Sequence, residues 1–134
     1  MTVRAHFFAS SAENPDVRAQ ITGVVTADRL GGTFGAAVAA RSAKSVTQSA
    51  IAGYLKAWTE EDASTSVGAY QGPVKVCVGE HDPFLTEQVS RDHIMAIYPG
   101  ADFESLSGAG HYPPLETPPH TAAVFNAFFG SQTI

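Results

Sequence analysis

The chain has 134 residues, a length that fits one compact domain and leaves no room for two well-buried cores. Hydrophobic residues make up 44% of it and charged residues 16%, which is the composition of a folded protein and excludes a disordered tail. The formal net charge is -5 and the Lys and Arg residues are scattered, which excludes a basic surface for nucleic acid or anionic membranes.

The cysteine content and the first residues bear on the compartment. Cys77 is the single cysteine, so an internal disulfide framework is excluded, and its apolar neighbours indicate a small buried hydrophobe. The apolar stretch at residues 5–9 is too short for a signal-peptide core and far too short to span a bilayer. The sequence therefore predicts a protein of the reducing cytoplasm that does not enter a membrane.

The chain begins with a predicted short strand and a helix. Residues 3–9 show the alternation of a strand. A helix is then predicted from Asn14, whose side chain can cap it, with Pro15 at its first position and an end by residues 31–32. Its expected apolar face comprises Val17, Ile21 and Val24.

Two further helices are predicted before the middle of the chain. Thr33 is the expected cap of a small-residue helix that runs to about residue 43, and Thr47 is the expected cap of a third helix. The third helix carries apolar side chains at helical spacing, namely Ile51, Leu55 and Trp58, with Tyr54 beside them. Small and polar residues at 63–72 then predict a connection to a different type of structure.

The second half predicts alternating strands and helices. Buried strands are expected at residues 74–78 and 102–106, and this alternation favours parallel pairing in an α/β fold. The helix between them is expected to begin at Thr86 and to point Val89, Ile94 and Ile97 inward. After a loop at residues 107–115, Thr117 is expected to cap a last helix with an apolar stripe of Val124, Phe125, Phe128 and Phe129.

Polar residues with catalytic chemistry follow both strands. Asp82 comes just after the first strand, and His111 comes just after the second, in the glycine-rich segment 108–113. Sites in open α/β sheets form beyond the carboxyl ends of the strands. A carboxylate bonded to one imidazole nitrogen fixes the tautomer and leaves the other nitrogen free to accept a proton. The sequence therefore predicts an acid and base pair, with Glu80, His81 and Ser107 as turn residues around it.

These segments resemble the α/β-hydrolase superfamily. Residues 74–84 (VKVCVGEHDPF) and 98–118 (YPGADFESLSGAGHYPPLETP) are similar to the last two strands of that fold, and residues 14–62 are similar to its helical cap. The resemblance implies a truncated α/β-hydrolase fold, with a helical cap followed by a βαβα arrangement of parallel strands. The implied division is a strand and turn at 1–13, a cap-like region at 14–70 and a hydrolase half at 71–134.

The resemblance also implies a Ser-Asp-His triad, with Asp82 as the acid and His111 as the base. The family's central strands, oxyanion loop and G-x-S-x-G elbow are expected before the cap, and the chain has no such residues there. Ser10 and Ser11 are the candidate nucleophiles, and the alternative is that they form a turn. Residues 31–35 (GGTFG) fit the related pattern G-x-T-x-G, but a turn between helices is the favoured interpretation.

The resulting hypothesis is an esterase-type hydrolase of small apolar carboxylic esters or lactones, without a cofactor. Its four candidate substrate-binding residues are aromatic: Trp58, Tyr54, Phe84 and Tyr112. The simplest alternative for Trp58, Tyr54 and the phenylalanines is that they belong to the core. We expect a homodimer, or a partner chain that completes the sheet, because so few strands leave apolar surface open. The alternatives are an inactive remnant that binds a ligand or protein, and a fragment of a longer enzyme.

Overall fold

The computed structural model describes residues 8–62, 66 and 70–131 of the chain. Within these residues the chain forms two compact units. The first unit is drawn from Met1–Val24 and Asp28–Val67, and the second from Val25–Ala27 and Gly68–Ile134. The functional division suggested by the resemblance, with boundaries after residues 13 and 70, stays a prediction.

The first unit is helical. Its helices are α1 (Pro15–Val25, whose last residue counts with the second unit), α2 (Gly31–Ser45) and α3 (Gln48–Glu60). The predicted caps of α1 and α3 are confirmed, since Oδ1 of Asn14 accepts a hydrogen bond from the N–H of Asp16 at 2.9 Å and Oγ1 of Thr47 accepts one from Ala50 at 3.2 Å. Short polar side chains thus start both helices.

Three boundaries in this unit differ from the prediction. Residues 8–10 are helical, so the predicted strand at 3–9 is wrong at its end, and its other residues lie outside the described part. Helix α1 ends at Val25, earlier than the predicted limit at residues 31–32, because Ala27 and Asp28 both have a φ of 54°, a left-handed backbone that stops a helix. Helix α2 begins at Gly31 after Leu30, so Thr33 lies inside it and is not its cap.

The aromatic side chains of α3 are exposed. Tyr54 is 78% exposed and Trp58 66% exposed, and no described residue of this helix is buried. The ring of Trp58 meets that of Phe8 edge to face, with 5.3 Å between the centroids. The prediction that these aromatic residues belong to a core is therefore wrong.

The second unit is mixed α/β and contains a two-stranded parallel sheet in its described residues. Strand β1 (Lys75–Gly79) pairs with β2 (Asp102–Leu106) in the register that places Gly79 beside Leu106. The connection is helical and consists of α4 (Glu87–Val89), a π-helical turn (Ser90–Ile94) and α5 (Met95–Ile97). After β2 come α6 (Pro113–Glu116) and α7 (Pro118–Gly130). The predicted strands and their parallel pairing are confirmed; α6 was expected to be loop.

The core of the second unit is small. Leu106, Ala109 and Val124 form its buried cluster, and the partly buried Cys77 packs against it. Half of the apolar stripe predicted for α7 is exposed: Val124 is buried and Phe128 half-buried, but Phe125 is 44% exposed and Phe129 67% exposed. The two strands are too narrow to cover a helix face of this width.

The connecting helical segment also departs from its predicted face. Ile94 is 36% exposed and Ile97 38% exposed, although both were expected to point inward. The π-helical turn between Ser90 and Ile94 adds a residue to the turn and so rotates the following side chains away from the regular helical spacing. No helix among the described residues is long and apolar enough to cross a lipid bilayer.

Candidate active site

The Asp82 carboxylate is fixed in the turn that follows β1. Its Oδ1 atom accepts hydrogen bonds from the main-chain N–H groups of Phe84 at 2.9 Å and Leu85 at 3.0 Å. The main-chain N–H of Asp82 itself donates to the carbonyl of Gly79 at 3.1 Å. The carboxylate is buried, with its side chain 3% exposed, and the two bonds to Oδ1 leave its second oxygen, Oδ2, for another partner.

That partner is the imidazole of His111. Its Nδ1 atom lies 2.7 Å from Oδ2 of Asp82. An ionised carboxylate can only accept, so the bond requires the proton on Nδ1 and leaves the lone pair of Nε2 free in the neutral ring. The ring is 32% exposed, far more than the carboxylate. The structure thus confirms the predicted contact between these two side chains, which gives an oriented imidazole able to accept and return a proton.

Among the described residues of its own unit, no nucleophile is bonded to this pair. In the described part of the second unit, no hydroxyl group forms a hydrogen bond with Nε2 of His111. The ring of Tyr112 meets the imidazole edge to face at 5.3 Å and supplies packing. The pair is therefore an acid and base without a bound third member in that part of the chain.

The loop that carries His111 lies against the end of β1. The main-chain N–H groups of Glu80 and His81 donate to the carbonyls of Leu106 and Ala109, at 3.1 and 2.8 Å. These bonds continue the contact between the two chain segments beyond the last residues of the strands. They bring Asp82 and the histidine loop to the same edge of the sheet, which is where the carboxyl ends of parallel strands meet.

Two carboxylates hold this loop by its main chain. Oε2 of Glu80 accepts hydrogen bonds from Oγ of Ser107 and the N–H of Gly108, both at 3.0 Å. Oε2 of Glu116 accepts from the N–H of Gly110 at 2.8 Å, and its Oε1 accepts from that of Tyr112 at 2.9 Å. Glu80 lies in a turn and is exposed, as predicted, and its carboxylate also bridges to the histidine loop, which was not predicted.

Sequence reasoning missed two contributors to the site. Glu116 stands in α6, and the available signal was a glutamate one turn after the Pro113-Pro114 helix start, where it can reach back to free amides. Thr26 is 1% exposed, and its Cα lies 3.2 Å from the position of a β-carbon on Gly110. Nothing in the sequence pattern signals this contact, because Thr26 lies far from Gly110 along the chain.

The other predicted site residues divide between the two units. In the second unit, Phe84 and Tyr112 are half-buried and flank the acid and base in sequence. In the first unit, Tyr54 and Trp58 are exposed, and Oγ of the buried Ser11 donates to the carbonyl of Phe8 at 2.7 Å.

The first unit also bears on the nucleophile candidates. The main-chain carbonyl of Ser10 accepts from Asn14 at 3.0 Å, so both serines take part in the turn before α1. Their role as nucleophiles stays a prediction. Residues 31–35 form the start of α2 and do not follow a strand, so they are no strand-to-helix elbow.

Two ionisable groups on the sheet have shifted pKa values. Burial raises the pKa of the Cys77 thiol, and the nearby Glu104 carboxylate raises it further. The hydrogen bond with Glu104 raises the pKa of Lys75, whose Nζ lies 2.7 Å from Oε2 of that glutamate. Among the described residues, no group of three or more His, Cys, Asp or Glu side chains is arranged to hold a metal ion.

Comparison with known proteins adds no family to this description. No protein-family model, no curated protein and no solved structure matches the chain significantly. The functional argument therefore depends on the geometry of the site.

Proposed function

We propose that this chain carries the acid and base half of an α/β-hydrolase catalytic triad and hydrolyses small apolar carboxylic esters or lactones. The observation that supports the proposal is the 2.7 Å contact between Oδ2 of Asp82 and Nδ1 of His111 beyond the carboxyl ends of two parallel strands. The proposal includes the truncated α/β-hydrolase fold that the sequence resembles.

In the proposed reaction, Nε2 of His111 takes the proton of a serine hydroxyl while its oxygen attacks the ester carbonyl carbon. The Asp82 carboxylate stabilises the imidazolium. The ring then gives the proton to the leaving alkoxide, and an acyl-serine remains. Water attacks this acyl group after giving a proton to the same nitrogen, and the carboxylic acid leaves as the serine regains its proton.

The serine has three candidate sources. Ser10 and Ser11 are the candidates within this chain, a second copy of the chain can supply one, and a longer form of the protein can supply an upstream elbow. The substrate contacts proposed in the second unit are the half-buried rings of Phe84 and Tyr112, which flank the pair in sequence. Tyr54 and Trp58 remain the proposed contacts from the helical region.

A ligand- or protein-binding module is the second candidate function. It is favoured by the open Nε2 of His111 in the described part of its unit and by the exposed rings of α3. In that case His111 and Asp82 hold the loop together and accelerate no reaction. The two candidates differ in whether substitution of this pair changes a rate.

The test measures hydrolysis of short-chain chromogenic esters by the wild type, His111→Ala and Asp82→Asn. We expect both variants to lose about 100-fold or more of the activity, because the base and its orientation are lost. Fluorophosphonate labelling followed by peptide mapping identifies the serine, and the labelled peptide tests Ser10 and Ser11 directly. Equal background rates in all three proteins, with no labelled serine, would remove the hydrolase and favour the binding module.

The proposal also includes a homodimer. The rings of Phe125 and Phe129 are exposed on α7, and each strand of the described sheet has only one neighbour. A second copy can cover such a face, and light scattering after gel filtration measures the mass. Phe129→Asp is expected to give a monomer, and a monomeric wild type would contradict the proposed homodimer.

A cytoplasmic location stays a prediction from the single cysteine.

A further inference from the structure

We propose that Glu116 is a positioning residue for His111, which sets the imidazole against Asp82 by holding the main chain on both sides of the histidine. The inference deepens the proposed function and, for its consequences on rate, rests on it. Glu116 is not placed among the groups that touch substrate.

The hydrogen bonds of the Glu116 carboxylate are made to the two residues next to the histidine. One carboxylate oxygen accepts from Gly110 and the other from Tyr112, the residues immediately before and after His111. Both bonds are short, 2.8 and 2.9 Å, as expected where an ionised acceptor meets a main-chain N–H. The two amides are thereby fixed relative to each other, and the Cα of His111 between them has little freedom.

The glycine at position 110 permits this approach. A β-carbon there would lie 3.1 and 3.2 Å from the two carboxylate oxygens of Glu116 and 3.2 Å from the Cα of Thr26. Gly108, with a φ of +75°, gives the loop a second flexible position. A loop with two glycines loses much conformational entropy when it is ordered, so external bonds are needed to keep a single conformation.

Helix α6 holds Glu116 in place for this role. The main-chain N–H of Glu116 donates to the carbonyl of Tyr112 at 2.9 Å, and that of Leu115 donates to the same carbonyl at 2.8 Å. The helical turn therefore binds both the N–H and the carbonyl of Tyr112, the N–H through the Glu116 side chain and the carbonyl through main-chain N–H groups. The contact with Asp82 fixes one end of the imidazole, and Glu116 fixes the main chain from which the ring extends.

The test observes the imidazole directly by nitrogen-15 nuclear magnetic resonance in the full chain. In the wild type we expect one tautomer for His111, with a slowly exchanging proton on Nδ1. Glu116→Ala is expected to give mixed tautomers and at least a 10-fold faster exchange of that proton. Glu116→Gln keeps one carbonyl acceptor and should fall between the two.

The control is Glu104→Gln, which removes a carboxylate from the sheet and from the Lys75 ion pair without touching the histidine loop. This variant should leave the His111 signals unchanged. The ring signals of His93 and His120 should stay unchanged in every variant. If Glu116→Ala does not fold, Glu116→Gln decides by the same spectrum. Wild-type tautomer and exchange in the folded Glu116 variant would overturn the inference.

Ester turnover supplies a second readout. A misplaced base should lower kcat about 10- to 100-fold and leave KM within about two-fold, because reacting groups lose alignment while substrate contacts remain. If the wild type hydrolyses no ester, the proposed function fails, and the His111 spectrum still decides whether Glu116 positions the ring. If turnover and spectrum are both those of the wild type in Glu116→Gln and Glu116→Ala, only the positioning role fails.

Discussion

The carbonyl oxygen of Gly110 occupies the space that a β-carbon on residue 79 would need. The carbonyl oxygen of Ala109 also lies within 2.7 Å of that position. The end of β1 and the histidine loop therefore approach each other main chain to main chain, and only glycine at position 79 allows this distance. The contact between the acid and the base depends on this close packing.

Replacement of Gly79 by alanine is therefore expected to push the loop away from β1. We expect a loss of about 1–3 kcal/mol in the free energy of unfolding, measured by urea denaturation, because main-chain atoms have to move. Hydrolysis should fall as well if the pair is catalytic. Gly100→Ala is the control, since no atom lies within 4 Å of a β-carbon there. Equal stability of the two variants would contradict the packing argument.

Substitutions of Asp82 are expected to separate its structural role from its role toward His111. Asparagine keeps an oxygen that can accept from the N–H groups of Phe84 and Leu85, whereas alanine leaves both without that acceptor. Asp82→Ala should therefore be about 1–3 kcal/mol less stable than Asp82→Asn in urea denaturation. Both variants lack the carboxylate that orients His111, so both should have low esterase activity. A stable Asp82→Ala would show that the turn does not need the side chain.

Ser90 offers a test on a buried hydroxyl. Ser90 is fully buried, and its Oγ has no hydrogen-bond partner among the described residues. No hydrogen bond to a described residue offsets the loss of water from this hydroxyl. Ser90→Ala should therefore leave the free energy of unfolding unchanged or raise it by about 0.5–1 kcal/mol, as measured by urea denaturation. Ser107→Ala is the matched control, and it should lose about 0.5–1.5 kcal/mol because Oγ of Ser107 donates to Glu80. A clear loss of stability in Ser90→Ala would mean that the hydroxyl has an acceptor.

Cys77 provides a prediction on pH dependence. Burial raises its pKa, so at a given pH the folded chain holds a smaller thiolate fraction than the unfolded chain. Alkylation by iodoacetamide should be slower in the folded protein, and the rise of its rate with pH should shift to higher pH. The chain unfolded in urea is the control, and the single cysteine makes the modified site unambiguous. Identical pH profiles in both states would contradict the shift.

The sequence allowed prediction of features that depend on neighbours along the chain. The strand at residues 102–106 has its predicted bounds, and Thr47 and Thr86 cap the helices that follow them. The contact between Asp82 and His111 was also predictable, because each follows a parallel strand and such strand ends share one edge of the sheet.

Features that depend on distant partners or on irregular backbone were not predictable in the same way. Side-chain periodicity carries no information on which main-chain N–H groups a carboxylate will accept from, so the role of Glu116 was missed. The π-helical turn breaks the regular spacing on which the inward face of Ile94 and Ile97 was predicted. The exposure of Phe129 depends on the width of the sheet, which no local pattern encodes.

Because the acid is more deeply buried than the base, the two groups differ in their access to protons from the solvent. The carboxylate of Asp82 is sealed from water, while the imidazole of His111 reaches the surface. Protons therefore enter and leave this pair through the ring, and an electrophile that arrives from solvent meets nitrogen before oxygen.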